Sequence, residues 1–317
     1  MPRTPAPLPA DPASPGGRLG VFTTADARRL GIGPNRLRRA DIRPLARGLF
    51  ATTDAAITEA AVLAALCRAD PSAVACGPSA ARLYELPLPR TLASWELGDP
   101  VHLTTTTAHR VGTAVARWSF LRLGAGESVH GAHLGATSPA RTFLDLGQLL
   151  AVEDLVVLGD ALVREPRAAF EARRDGAWVE LEDLRRAVQA FHGRGARRLA
   201  EAVGHVRVGS DSPAETRLRR AIVAAGLPEP APNAWIDDAD GLLGQPDLQW
   251  NAWKVCLEHE GPSHLTPEQL ERDIRRGDRR RAHGWIEIRT VAADVRGDCR
   301  RAVERVREAL VARGWRG

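Results

Sequence analysis

Apolar residues recur at helical spacing in several stretches of the chain. The clearest are "AAITEAAVLAALCRA" (55–69) and "SPARTFLDLGQLLAVEDLVVLGDALVR" (138–164), a Ser-capped helix followed by a second one. "VHLTTTT" (101–107) and "RWSFLRL" (117–123) read as strands, and "RRLAEAVGHVRVGSDSP" (197–213) as a helix end and a linker. Further on, "SPAETRLRRAIVAAGL" has Ser212 as cap and Glu215 three residues later. Leu218, Ile222 and Val223 then follow at helical spacing up to Gly226. "APNAWIDDADGLLGQPDLQW" reads as a hairpin with Trp235 and Ile236 in one strand, Asp240-Gly241 in the turn and Asp247 to Trp250 in the next. "KVCLEHEG" is a buried strand whose period of two puts Val255, Leu257 and His259 on one face and Lys254, Cys256, Glu258 and Glu260 on the other.

The first periodic segment is shorter. In 21–52, Thr23 or Thr24 caps a helix carrying Ala25, Ala27 and Leu30, Gly31 to Gly33 turn the chain, and Pro34 opens a second helix with Arg36, Arg38 and Arg39. "IRPLARGLFAT" supplies a small β-wing around Gly48. This is the outline of a winged helix-turn-helix, and Arg36, Arg38, Arg39, Arg43 and Arg47 are its phosphate-facing candidates. The alternative is a small helical cap with a solvated basic face.

Composition adds a partner class. The 317 residues carry 44 basic against 39 acidic groups, a net charge of +5, and Lys254 is the only lysine. Arginine's planar fork suits phosphates and base edges, although GC-rich coding would also favour it. Cys67, Cys76, Cys256 and Cys299 lack C-x-x-C spacing, and His102, His109, His130 and His133 lack a ligand rhythm, which argues against zinc. The Pro-rich start, residues 1–17, reads as a disordered tail, neither signal peptide nor anchor. No apolar run reaches the ~18 residues of a membrane span. A cytoplasmic protein without a membrane partner is the expectation.

The candidate chemistry lies in "GQPDLQWNAWKVCLEHEGPSH" (244–264). Asp247, Glu258 and Glu260, with Glu215 from the preceding helix, form a set of hard oxygen donors of the kind Mg²⁺ or Mn²⁺ prefers. Each has a plainer reading: Glu215 as a capping-box residue, Asp247 as a turn residue after Pro246, His264 as a helix cap, and Asp273 with Arg276 as an exposed pair. Trp250, Trp253 and Trp285 read as core, and the "HEGPSH" histidines are five apart, which excludes the zinc-protease H-E-x-x-H pattern.

Two resemblances bear on these motifs. "GVFTTADARRLGIGPNRLRR" with "RGLFA" resembles the N-terminal winged helix of AbiEi-type antitoxins, which implies promoter-DNA binding, and "SPARTFLDL" resembles the middle region of such proteins. The helix, hairpin aspartate and E-x-E strand are laid out like PD-(D/E)XK nucleases, with Glu260 where the usual lysine stands. "GQPDLQW", "KVCLEHEGPSH" and "RDIRRGDRRRAHGW" resemble very-short-patch-repair-like endonucleases, which usually show Asp where Glu260 stands. That resemblance implies Asp247 and Glu260 as metal ligands, Glu258 as ligand or water-orienting group, His264 as acid/base partner, and Arg276 as a nucleic-acid contact.

The expectation is therefore an α/β multidomain protein. It has a tail (1–17), a winged helix-turn-helix (18–53), an α/β connector (54–204), and a restriction-endonuclease-like mixed sheet flanked by helices (205–317). Its expected function is a DNA-binding endonuclease using Mg²⁺ or Mn²⁺. The alternatives are an antitoxin-like transcriptional regulator with an inactive nuclease-like domain, and an enzyme acting on RNA.

Overall fold

The structure, a computed structural model, describes residues 8, 9, 19–105, 112–131, 134–167, 174–236, 243–261 and 267–317, and of 267–270 the backbone alone. It is an α/β protein of two compact units, Met1–Leu149 and Leu150–Gly317. No helix among the described residues is long and apolar enough to cross a membrane.

In the first unit β1 (Val21–Thr23) leads into α1 (Thr24–Arg29), followed by β2 (Ile42–Ala46) and β3 (Leu49–Thr52). The strands form an antiparallel sheet of order β1-β3-β2, with Gly48 at φ +79° closing the β2–β3 turn. Thr23 and Asp26 cap α1 reciprocally: Thr23 Oγ1 accepts from Asp26 N, and Asp26 Oδ2 accepts from Thr23 N at 2.9 Å. The second helix expected from Pro34 is absent. Residues 34–38 form consecutive turns, in which Arg36 N and Leu37 N both donate to Gly33 O. The segment offers only Leu37 to the local apolar cluster, too little to offset the ordering of a nucleating turn. Of the Pro-rich start only Leu8 and Pro9 are described, and Leu8 packs against that same cluster.

The chain continues through α2 (Glu59–Ala69), β4 (Val74–Ala75), α3 (Gly77–Leu83), α4 (Arg90–Ala93), β5 (Val101–Thr105), β6 (Ala116–Phe120), β7 (Ser128–His130), β8 (Gly135–Thr137) and α5 (Pro139–Leu146). The last five strands form a mixed sheet of order β6-β5-β4-β8-β7. Val21 and Leu49 share one core with Val62, Leu63, Val101 and Leu103, so the small N-terminal sheet and the larger one are a single packed body.

The second unit begins with α6 (Val152–Val163), α7 (Leu181–Ala190) and α8 (Ala196–His205), which the sequence pattern alone places with the connector. Next come α9 (Pro213–Ala224), β9 (Ala231–Pro232), β10 (Leu248–Trp250), β11 (Val255–Glu260), α10 (Pro267–Ala282), β12 (Ile286–Val291) and α11 (Arg300–Ala312). The sheet order is β12-β11-β10-β9, with β11 and β12 parallel and the other pairs antiparallel. Val255 and Leu257 enter a core with Leu218 and Ile222 of α9 and Val306 and Leu310 of α11. Cys256 lies on the opposite face with Ile236, Leu243 and Trp285. Burying Val255 and Leu257 contributes roughly 1.5–3 kcal/mol each, and a one-residue slip would put Cys256 and Glu258 in their places, so the β11 register is strongly fixed.

Two expected details differ. The strand preceding β10 is Ala231–Pro232, and Trp235 stands exposed. Ile236 N still donates to Gly244 O, but the expected turn, Asp240-Gly241, lies outside the described residues. Lys254 does not join the acidic face. It follows a 3-10 turn (Asn251–Trp253) in left-handed backbone at φ +49°, and its Nζ donates to His283 O.

Asp160 of α6 and Arg219 of α9, each 1% exposed, pin this unit together. Asp160 accepts from Arg219 Nη2 (2.8 Å), Thr216 Oγ1 (2.8 Å) and Arg207 N (2.8 Å), while Arg219 Nη2 also donates to His205 O at the end of α8. Removing one partner strands a buried charge. Asp160→Ala is expected to destabilise the protein by about 3–5 kcal/mol in urea unfolding, whereas replacing both, Asp160→Leu with Arg219→Met, should cost clearly less.

Candidate active site

Register brings the acids together. Leu248 pairs with Leu257 and also with Pro232, so continuing both ladders by one residue sets Asn233, Asp247 and Glu258 side by side across β9, β10 and β11. Arg289 of β12 is the partner of Glu258 and extends the row. Cross-strand partners project to the same face, here the face of Cys256.

Asp247 is the most perturbed member of the row. Its Oδ2 accepts from His259 N at 2.6 Å, yet burial, then Glu215, then Glu258 push its carboxyl up to about 8. The His259 amide and Arg167 pull in the opposite direction and are outweighed. A carboxyl that holds its proton near neutral pH because of burial and like charges is characteristic of sites that bind cations or move protons.

Glu215 has the capping role that its spacing allowed. Its Oε1 accepts from Ser212 Oγ (2.8 Å), and its Oε2 accepts from Asp211 N (2.8 Å) and Asn233 Nδ2 (2.7 Å). Burial raises its pKa despite those donors. The capping residue is thus also one of the charges acting on Asp247.

Arginines engage the E-x-E pair. Arg280 of α10, 0% exposed, donates through Nη1 to Glu258 Oε1 (2.5 Å) and Glu287 Oε2 (2.9 Å), and through Nε to Leu243 O (2.8 Å). Burial alone would raise Glu287, but the hydrogen bonds from Arg280 and Arg289 win and hold it below the ordinary carboxylate range. Glu260, 38% exposed, faces Arg289 at 3.3 Å. Arg276 bonds Asp273 at 2.8 Å and lies 4.0 Å from Glu258, so the α10 pair expected from the sequence is present at the edge of the site.

The remaining candidates fall elsewhere. His264, His109 and His133 lie outside the described residues, and His259 points to the α9/α11 side, where its Nδ1 is 3.2 Å from Thr290 Oγ1. Trp250 and Trp285 are buried as expected. In the first unit Arg38, Arg39, Arg43 and Arg47 are at least partly exposed, whereas Arg36 is held by Asp41 through two 2.7 Å bonds. That unit also has a groove of about 580 Å³ beside Ile57, Leu86 and Trp95, whose Arg82 is engaged by Glu59 and by Leu92 O.

Two participants carry no mark in the sequence. Asn233 reads there as a hairpin residue and Arg167 as part of the connector. An Asn two residues before a Trp carries no chemical signal; only the register reveals it. Comparison with family models, curated proteins and solved structures finds no match to this chain.

The donor chemistry fits a hard cation, since Asp247 and Glu258 offer carboxylate oxygens on one face and Asp247 is in an electrostatic state that a cation would relieve. Among the described residues no group of three or more His, Cys, Asp or Glu side chains is arranged to hold a metal ion. Mg²⁺ does not need one, because it keeps several waters and is held by one or two carboxylates plus substrate phosphates.

The raised Asp247 pKa has a signed consequence. The folded state binds a proton that the unfolded state, with an ordinary carboxylate value of 3.8, has released. That stabilisation is complete below the unfolded value and is lost as pH rises toward about 8. Metal-free protein should therefore melt at progressively lower temperature between about pH 4 and pH 8, and Asp247→Asn should flatten this decline. An unchanged slope in Asp247→Asn would remove Asp247 as its source.

Proposed function

We propose that the chain is a DNA-binding, metal-dependent endonuclease that hydrolyses phosphodiester bonds. The observation that carries this reading is the meeting of Glu215, Asp247 and Glu258. They come from a helix start, a strand entry and a central strand, and burial, then the charges of Glu215 and Glu258, push the Asp247 carboxyl up to about 8. Asp247 and Glu258 are the residues that would hold Mg²⁺ or Mn²⁺, with Glu260 beyond them on the same face. A bound divalent cation supplies Lewis acidity toward a phosphate oxygen and offsets the clustered negative charge. The chain's own residues do the rest. The His259 amide orients Asp247, Arg280 orients Glu258, and Arg276 and Arg289 place guanidinium groups beside the acids, where a phosphodiester has to approach. The exposed arginines of the first unit supply the sequence-independent part of DNA affinity.

One observation favours a second reading. Arg280 forms a 2.5 Å pair with Glu258 from a fully buried position, which already neutralises one carboxylate without a metal. On that reading the domain binds and does not cut, and the protein is an antitoxin-like transcriptional regulator.

Supercoiled plasmid with Mg²⁺ or Mn²⁺ separates the two. The wild type should nick or linearise it, and Asp247→Ala should lower the rate by at least about 100-fold, corresponding to several kcal/mol from removal of a cation ligand. Retained binding with no cleavage at either ion would establish the regulator. Labelled single- and double-stranded RNA in the same assay tests the alternative substrate.

DNA affinity should fall with salt, and replacing Arg38 and Arg39 should flatten the slope of log K against log salt by ~1 for each phosphate no longer neutralised. Arg36→Ala should leave that slope nearly unchanged, since its guanidinium is held by Asp41.

A further inference from the structure

Asn233 follows β9 at φ +46°, a left-handed conformation that Asn tolerates better than most residues. Its N–H donates to Asp247 O (3.0 Å), and its carbonyl accepts from Gln245 Nε2 (3.1 Å). The side-chain amide directs its nitrogen to one side of the site: Nδ2 bonds Glu215 Oε2 (2.7 Å) and Gly209 O (2.7 Å). Oδ1 accepts from Arg167 Nη2 at 2.8 Å, and Arg167 is in turn paired with Asp211. Gly209 makes this approach possible. It sits at φ +119°, and a Cβ there would lie 2.7 Å from Pro232 O.

A turn needs only the backbone part of this arrangement. The side chain does something else: it donates to the carboxylate of Glu215 and accepts from the guanidinium of Arg167, so one amide fixes an acid and a base at the edge of the site. We propose that Asn233 is the positioning residue of the carboxylate site, orienting Glu215 beside Asp247 and seating the Arg167 guanidinium at its edge, where a substrate phosphate would meet it. Arg167 suits that role, because 47% of its side chain stays open to solvent while Asp211 and Asn233 fix its direction. This rests on the nuclease reading and deepens it, since it adds a residue that tunes the cation site without touching the cation.

The test uses the full chain with Asn233→Gly and Asn233→Asp. Glycine keeps the left-handed backbone and its two main-chain bonds but removes the amide. Aspartate keeps the acceptor for Arg167 and replaces the donor to Glu215 with a like charge. Mn²⁺ affinity by calorimetry, single-turnover plasmid cleavage and melting temperature are measured together. The expected result is that both variants fold and that Asn233→Gly weakens Mn²⁺ binding and slows cleavage by about 10–100-fold, the range for outer partners that support a metal site. Asn233→Asp should be worse on both counts, and the DNA KM should change much less than kcat. A residue needed only for the turn would give no such order, because Gly and Asp both accept left-handed backbone. Wild-type Mn²⁺ affinity and rate in both variants would overturn the proposal, as would loss of fold in both. A wild type that neither binds Mn²⁺ nor cleaves would instead overturn the nuclease reading, and the positioning role with it.

Discussion

The site depends on a buried ion pair that takes no part in it. Asp160 and Arg219 join α6 to α9 with both side chains withdrawn from water, and the backbone of Arg207 and the hydroxyl of Thr216 complete the coordination of Asp160. Desolvating two charges is unfavourable unless their remaining hydrogen-bonding groups are matched; here Asp160 accepts three donors and Arg219 also reaches His205 O, while Arg219 Nε is buried without an acceptor. The consequence is positional. Helix α9 is held in one place, so its first turn presents Glu215 at a defined point beside the sheet. Helices α6 and α8 therefore belong to the same body as the acids.

From that fixed helix the rest of the site follows by register. The α9/α11 core takes Val255 and Leu257, which sets the face of Glu258. The antiparallel ladders then bring Asp247 and Asn233 alongside it, and the parallel ladder adds Arg289. An apolar constraint thus concentrates charge: the same alternation that fills one side of β11 puts Glu258 and Glu260 on the other, beyond Cys256. Arginines from α10 and β12 meet these acids, and Glu258 and Glu260 each face at least one of them.

Much of this was legible in the sequence, and the reasons are specific. The Ser212–Glu215 cap, the helical spacing of Leu218 and Ile222, and the alternation of 255–260 are local signals, and each element formed within a residue or two of its expected bounds. The β2–β3 hairpin around Gly48 was equally local. Other features depend on tertiary choices. Nothing in "GPNRLRR" says that Arg36 turns back to Asp41 in place of extending a helix, and nothing in 150–205 says that these helices pack on the C-terminal half. The acids were visible as residue types, but their arginine partners were not. Arg280 is 22 residues from Glu258 in sequence, and a basic helix reads as a solvated face until one of its guanidinium groups is found fully buried.

That buried guanidinium shows where the positive charge beside the acids comes from. In an E-x-K pattern one acid and one cation share a strand; here β11 carries Glu258 and Glu260 with neither lysine nor arginine, and the positive charge comes from neighbouring elements, Arg280 and Arg276 from α10 and Arg289 from β12. The chemistry is not equivalent. A lysine can shift its pKa and give up a proton, whereas arginine stays charged and offers a planar fork. Arginines in these places can neutralise acids and hold phosphate oxygens, but they cannot serve as proton donors or acceptors. A proton donor or acceptor at this site would therefore have to be a group other than these arginines.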